Sequence, residues 1–154
     1  MQFISIFFLF LTLQSSFYAK VIGVSDGDTI IVLTDDNRQI KIRLEGIDCP
    51  ESHQEFGSDA KQAVVDLCFN KIVKVVSKGN DKYGRMLANL YVDDIFVNSK
   101  LIELGMAWHY KKYNDDEDLA NIELKAREKK IGLWSLPNQI PPWGFRKKSK
   151  TISN

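Results

Sequence analysis

The sequence predicts an α+β fold, a five-stranded β-barrel of the OB type with about three appended helices. Three observations predict it. Five or so short β-branched or alternating runs lie in the chain from residue 20 onward. A helical pattern interrupts them after the third run, and more helical patterns follow the last. Turn signals separate the runs, as a compact barrel of short strands requires.

Residues 21–24, 29–34 and 38–44 read as the first three strands. Asp35, Asp36 and Asn37 form a hairpin signal between the second and third. In the third, Ile40, Ile42 and Leu44 fall on one face and Lys41 and Arg43 on the other. A helix follows, with Ala60, Val64, Leu67 and Cys68 at helical spacing and Ser58 as N-cap. Residues 72–77 alternate again. Residues 85–92 and 95–97 flank Asp93 and Asp94, a second hairpin signal. Leu101, Ile102 and Leu104 predict a short helix closed by Gly105. Leu119, Ile122, Leu124 and Ala126 belong to a last, highly charged helix.

The chain has 154 residues, 44% apolar and 27% charged, which excludes a wholly disordered or fibrous protein and leaves room for one domain. Two Cys exclude a disulfide-rich scaffold, and no CxxC pair offers a structural zinc site. The formal net charge of +1 is silent about partners, although a local basic face is compatible with nucleic acid.

Residues 1–19 hold no charged side chain, whereas all 41 charged residues follow from Lys20 onward. The expectation is a cleaved signal peptide with its apolar core near residues 4–13 and cleavage after Ala19 or Ser16. An uncleaved membrane anchor is the alternative. The expected domain then covers residues 20–136, and residues 137–154 form a Pro-containing basic tail that is loosely held. Export places Cys49 and Cys68 where a disulfide can form; two buried thiols are the other reading.

Three segments carry chemistry. Asp26, Gly27, Asp28 and Thr29 set two carboxylates at a strand start, a pattern equally common in plain turns. Arg43 is followed five and eight residues later by Asp48 and Glu51, with Pro50 stiffening the loop. Carboxylate and carbonyl oxygens of this kind suit hard divalent cations. Asp81, Lys82, Tyr83, Gly84 and Arg85 place an aromatic ring among cations, and Arg grips phosphate through paired hydrogen bonds. Two Asp, one Glu and two Arg on loops or strand ends make up a divalent-metal phosphodiesterase constellation.

The order and spacing of these segments resemble the micrococcal-nuclease, or thermonuclease, family. The resemblance also runs through Phe56-Gly57, Val97-Asn98, Gly105 and Leu133-Trp134-Ser135, and covers roughly residues 20–136. The ending from Ile140 to Arg146 is similar to the tail of exported bacterial members. The resemblance implies Asp28 and Asp48 as calcium ligands, with the backbone carbonyl of Cys49 as a third. It implies Arg43 and Arg85 on the scissile phosphate, Glu51 as general base and Asp26 beside the metal. Lys82 and Tyr83 fall near the terminal phosphate of a bound nucleotide. Cys49 stands where the family often has Thr, which frees its side chain for a bridge to Cys68. The implied protein is a Ca²⁺-dependent monomeric nuclease cutting DNA and RNA, single-stranded or flexible regions first, at the 5′-oxygen side to leave 3′-phosphates.

Other features carry less. His53 and His109 make neither a zinc site nor a triad. Trp108, Tyr110 and Tyr113 are read as packing, with base stacking as the alternative. Asp115 to Asp118 offset a helix dipole. The rival function is a non-catalytic OB-type binding module, but such a module has no need of Asp28, Arg43, Asp48, Glu51 and Arg85 together. A secreted adhesive protein predicts repeats that the sequence lacks.

Overall fold

The computed structural model describes residues 15–152. The apolar core expected for the signal peptide, residues 4–13, lies outside them. In chain order the elements are β1 (Ser16–Val24), β2 (Thr29–Leu33), β3 (Gln39–Leu44), β4 (Ile47–Asp48) and α1 (Gly57–Cys68). Next come β5 (Ile72–Asn80), β6 (Met86–Val92), β7 (Ile95–Phe96), α2 (Val97–Glu103) and β8 (Trp108–His109). Last are α3 (Glu117–Glu128), a 3-10 turn (Gly132–Ser135) and α4 (Pro142–Ile152).

Five strands close a barrel in the order β3-β2-β1-β5-β6, with a parallel β3–β6 pairing sealing it. Alternation explains the interior. Ala19 and Val21, Ile30 and Val32, Ile42 and Leu44, Val73 and Val75, and Ala88 and Leu90 all point inward and are buried. Each large aliphatic residue among them contributes about 1.5–3 kcal/mol by leaving water. The barrel is therefore the OB-type α+β fold that the pattern predicts, with four helices around it in place of about three.

Four details differ from expectation. First, β1 begins at Ser16, inside the apolar leader, and residues 16–19 pair with β5. Ala19 is 2% exposed and belongs to the core. Second, α1 starts one residue before Ser58, and its cap is Phe56 in a left-handed conformation (φ 65°). A Cβ on Gly57 would stand 2.0 Å from the Glu51 carbonyl oxygen, so this close approach sets the helix start. Third, the tail is no loose end. Residues from Pro142 form α4, with Pro in the first position, where its missing N–H costs nothing. Fourth, Trp143 of α4 stacks on Tyr110 (centroids 5.0 Å, 5° apart) and meets Trp108 edge-on. Among the described residues no helix is long and apolar enough to cross a membrane.

Two polar side chains hold the frame, one buried on α2 and one exposed at the start of α3. Asn98 is fully buried on α2; its Nδ2 donates to the Glu45 and Ala88 carbonyls and its Oδ1 accepts from the Leu90 N–H. It satisfies the backbone where β3 parts from β6. Asp116 caps α3, accepting from the N–H groups of Asp118 and Leu119, as the acidic run predicts.

Candidate active site

Strand register brings the three sequence segments together. Thr29 faces Arg43 across the β2–β3 ladder, so Asp28 lies beside the Arg43 guanidinium. Arg43 faces Leu87 across the parallel β3–β6 pair, which puts Arg85 at the same barrel end. The β4–β8 pair matches Asp48 with Trp108 and anchors the acidic loop from the other side.

Arg43 is the hub of the acids. Its Nε lies 3.1 Å from Asp28 Oδ1 and its Nη2 donates to Asp48 Oδ1 at 2.7 Å. Its Nη1 donates to the Leu44 and Ile47 carbonyls. These contacts leave one Nη2 hydrogen for anything outside the protein. Asp28 Oδ2 accepts from the Cys49 N–H at 2.8 Å, and Asp28 Oδ1 from Thr29 Oγ1. Burial pushes the Asp28 carboxyl up to about 7; Arg43 pulls against this, while Asp26 and Asp48 add to it. Asp26 turns its Oδ1 back to the Asp28 N–H, which fixes the loop. For Arg43, burial works against the charge but Asp28 and Asp48 outweigh it and raise its pKa.

Arg85 is aimed by Asp81. Asp81 Oδ2 accepts from Arg85 Nε at 2.7 Å, and its Oδ1 accepts from the N–H groups of Tyr83 and Arg85. Burial opposes ionisation of Asp81, but these hydrogen bonds prevail and hold it below the ordinary carboxylate range. Arg85 Nη1 lies 3.5 Å from Thr29 Oγ1, joining it to the Asp28 side of the site. Tyr83 is exposed, with Lys82 Nζ 5.0 Å and the Arg85 guanidinium 5.7 Å from its ring.

Glu51 occupies the loop that Gly57 holds. Its Oε1 accepts from Arg146 Nη1 at 2.6 Å. Arg146 also reaches Asp48, through Nη2 to Oδ2 at 2.8 Å and Nη1 to Oδ1 at 3.3 Å. Burial disfavours the Arg146 charge, but the hydrogen bonds from Asp48 and Glu51 raise its pKa overall. The expectation of a loosely held tail is thus corrected: α4 delivers a third guanidinium to the acids. Sequence reasoning missed Arg146, and it missed Asp81 as the group that aims Arg85. A readable signal for the first existed: Pro142 opens a helix on which Trp143 and Arg146 are three residues apart, hence on one face.

The disulfide is corrected too. Cys49 and Cys68 are both free and buried. Cys49 Sγ donates to the Gly27 carbonyl beneath the Asp26–Asp28 loop, whereas Cys68 Sγ donates to Val64 within α1. Burial raises both thiols, Cys68 to about 11. The thiol of Cys49 thus packs under the acidic loop rather than serving a bridge.

A cavity of about 290 Å³ is lined in part by Trp108, Tyr110, Lys111, Arg127 and Trp143, and none of Asp28, Asp48 and Glu51 lines it. Trp108 packs on Trp134 and Trp143, and Tyr110 on Trp143, as the packing reading of this run predicts, whereas Tyr113 is exposed. His109 is buried and meets Asn114, away from any metal cluster.

Among the described residues no three His, Cys, Asp or Glu side chains are arranged to hold a metal ion. A cation here would rest on the two carboxylates of Asp28 and Asp48, with backbone and water oxygens completing the shell. The donor chemistry fits a hard cation, because these ligands are all oxygen. The charge fits as well, because a buried carboxyl pushed up to about 7 is one that a cation would stabilise.

The family model described as staphylococcal nuclease homologue matches residues 41–136. The chain is 40% identical over 152 residues to a Shigella flexneri protein named micrococcal nuclease, spanning 91% of this chain and 86% of that one. It is 40% identical over 131 residues to a Haemophilus influenzae protein named uncharacterized endonuclease, spanning 85% and 74%. It is 38% identical over 135 residues to a protein of the same name from Escherichia coli O157:H7, spanning 87% and 88%. With its barrel, its two aimed arginines and these relatives, the chain belongs to the staphylococcal nuclease homologue family.

Proposed function

We propose that this nuclease is calcium-dependent and exported, and that it hydrolyses phosphodiester bonds of DNA and RNA at the 5′-oxygen side to leave 3′-phosphates. The observation that carries the reading is the gathering of Asp28, Asp48, Glu51 and Arg43 at one barrel end, with Arg85 joined through Thr29. A phosphodiester repels an incoming hydroxide, and negative charge grows on its oxygens as the water attacks. The chain must therefore supply positive charge and a proton acceptor at fixed points.

In this reading Asp28, Asp48 and the Cys49 carbonyl hold the calcium ion. Calcium, when bound, polarises the phosphate and offsets its charge. Arg43 offers its remaining Nη2 hydrogen to a phosphate oxygen. Arg85, held by Asp81, turns its Nη groups to the oxygen that leaves. Glu51 accepts the proton of the attacking water through Oε2, the oxygen that Arg146 does not hold. Lys82 and Tyr83 flank a neighbouring phosphate and base, a grip on backbone and ring face that reads no base edge and so suits both DNA and RNA. The uncharged leader ahead of Lys20 supports export.

The test mixes purified protein with denatured DNA, and separately RNA, in calcium, beside a chelator arm and a Glu51→Gln arm. Cleavage confined to the untreated arm, with 3′-phosphate ends, is expected. Intact nucleic acid in calcium, from protein with a native circular dichroism spectrum, would overturn the reading in favour of a binding module.

A further inference from the structure

We infer that Arg146 is a positioning residue of the catalytic cluster, bridging Asp48 and Glu51 so that Glu51 faces the attacking water. The inference rests on the nuclease reading above.

The bridge is made by one planar group. Nη2 and Nη1 of Arg146 both meet Asp48, at 2.8 and 3.3 Å, and Nη1 meets Glu51 at 2.6 Å. Guanidinium is suited to this because its donors lie in a fixed fork. Glu51 needs such a partner. Its backbone is fixed, since its N–H donates to Gln54 Oε1 and its carbonyl oxygen accepts from the Gln54 N–H while Gly57 packs against it. Its side chain is 37% exposed, and Arg146 is its ion-pair partner. Next to the buried Asp48, an unrestrained Glu51 carboxylate would be repelled toward solvent. Arg146 removes that freedom and leaves Oε2 open.

Arg146 is itself seated. Trp143, three residues earlier on α4, is stacked against Tyr110, and Gln54 Nε2 donates to the Ile140 carbonyl just ahead of the helix. The Glu51 loop is thus tied to the chain just ahead of α4 by Gln54 and to α4 itself by Arg146. Charge agrees with this placement: Arg43 meets Asp28 and Asp48 but not Glu51, and Arg146 is the guanidinium that meets Glu51 and shares Asp48.

The test is a double-mutant cycle on a short single-stranded DNA with calcium saturating, using Arg146→Gln, Arg146→Lys and Glu51→Gln, with calcium affinity measured by calorimetry. Arg146→Gln is expected to lower kcat roughly 10²-fold with KM held within about threefold. In the Glu51→Gln background the same change should cost less than about threefold, because the group it positions is already lost. Arg146→Lys keeps the charge without the fork and should recover about tenfold of the loss. It also keeps the test valid should the Gln variant fail to fold. Wild-type turnover in Arg146→Gln, or equal losses in both backgrounds, overturns the inference. Tighter calcium binding with unimpaired turnover also overturns it, and marks Arg146 as a competitor of the metal. A wild-type protein that binds calcium yet cuts nothing overturns the nuclease reading instead, and the inference with it.

Discussion

Arg43 and Arg85 carry the same charge but stand in different surroundings, and their removal should separate. Arg43 lies among Asp28, Asp48 and two carbonyls, and its side chain is 11% exposed. Arg43→Ala leaves the buried Asp28 without its ion-pair partner and Asp48 with Arg146 alone, and should cost about 3–5 kcal/mol of stability as well as activity. Arg85 is 28% exposed and tied chiefly to Asp81. Arg85→Ala should cut turnover about 10²–10³-fold, with the urea midpoint nearly unmoved. Parallel urea titrations and kinetics on both variants check this. Equal destabilisation would mean that Arg85 is as structural as Arg43. At this scale the sequence was readable where the grouping is local. Asp28, Asp48, Glu51 and Arg85 each sit in a short polar stretch, and strand register brings these stretches to one barrel end. Arg146 was not readable, because its partner Asp48 lies 98 residues away and four basic residues in a Pro-containing end look like solvated charge. Cys49 and Cys68 misled for a related reason: compartment chemistry permits a bond, but only packing decides which way each thiol points.

Among the elements, α2 carries the most consequential single residue. Asn98 meets three backbone groups at the point where β3 leaves β6. Asn98→Leu leaves these groups without their buried partner and should cost about 3 kcal/mol. The midpoint of urea unfolding should fall with an unchanged m-value; a shift below about 0.5 kcal/mol would show that water replaces the amide. The strands were legible because inward and outward residues alternate, as Ile40, Ile42 and Leu44 do in β3. Helix starts were less so. Ser58 has the chemistry of a cap, but the contact between Gly57 and the Glu51 carbonyl sets where α1 begins, and that contact is tertiary. The start of β1 was hidden by composition. Residues 16–19 match the apolar leader before them, and only pairing with β5 shows that they belong to the barrel.

For the whole molecule, that pairing has a measurable outcome. A protein beginning at Lys20 lacks Ser16, Phe17, Tyr18 and Ala19, four of the five residues of β1 registered with β5. It should unfold at a lower temperature than one beginning at Ser16, by several degrees at least. Equal melting points would show that the barrel closes without them. Calcium should act on the entire fold as well. At a concentration about 100 times its dissociation constant, an ion that binds only the folded state adds about 2.7 kcal/mol. Differential scanning calorimetry with and without chelator measures it, and Asp48→Asn should abolish the difference.

The bridge from α4 also places the site in time. Asp48 leaves the ribosome 98 residues ahead of Arg146. At about 5–20 residues per second, that gap lasts roughly 5–20 s. Through this interval the acids and Arg43 exist without the guanidinium that draws Glu51 inward. A growing chain is therefore an unfinished blade: it acquires the Arg146 bridge only after every strand of the barrel has been made.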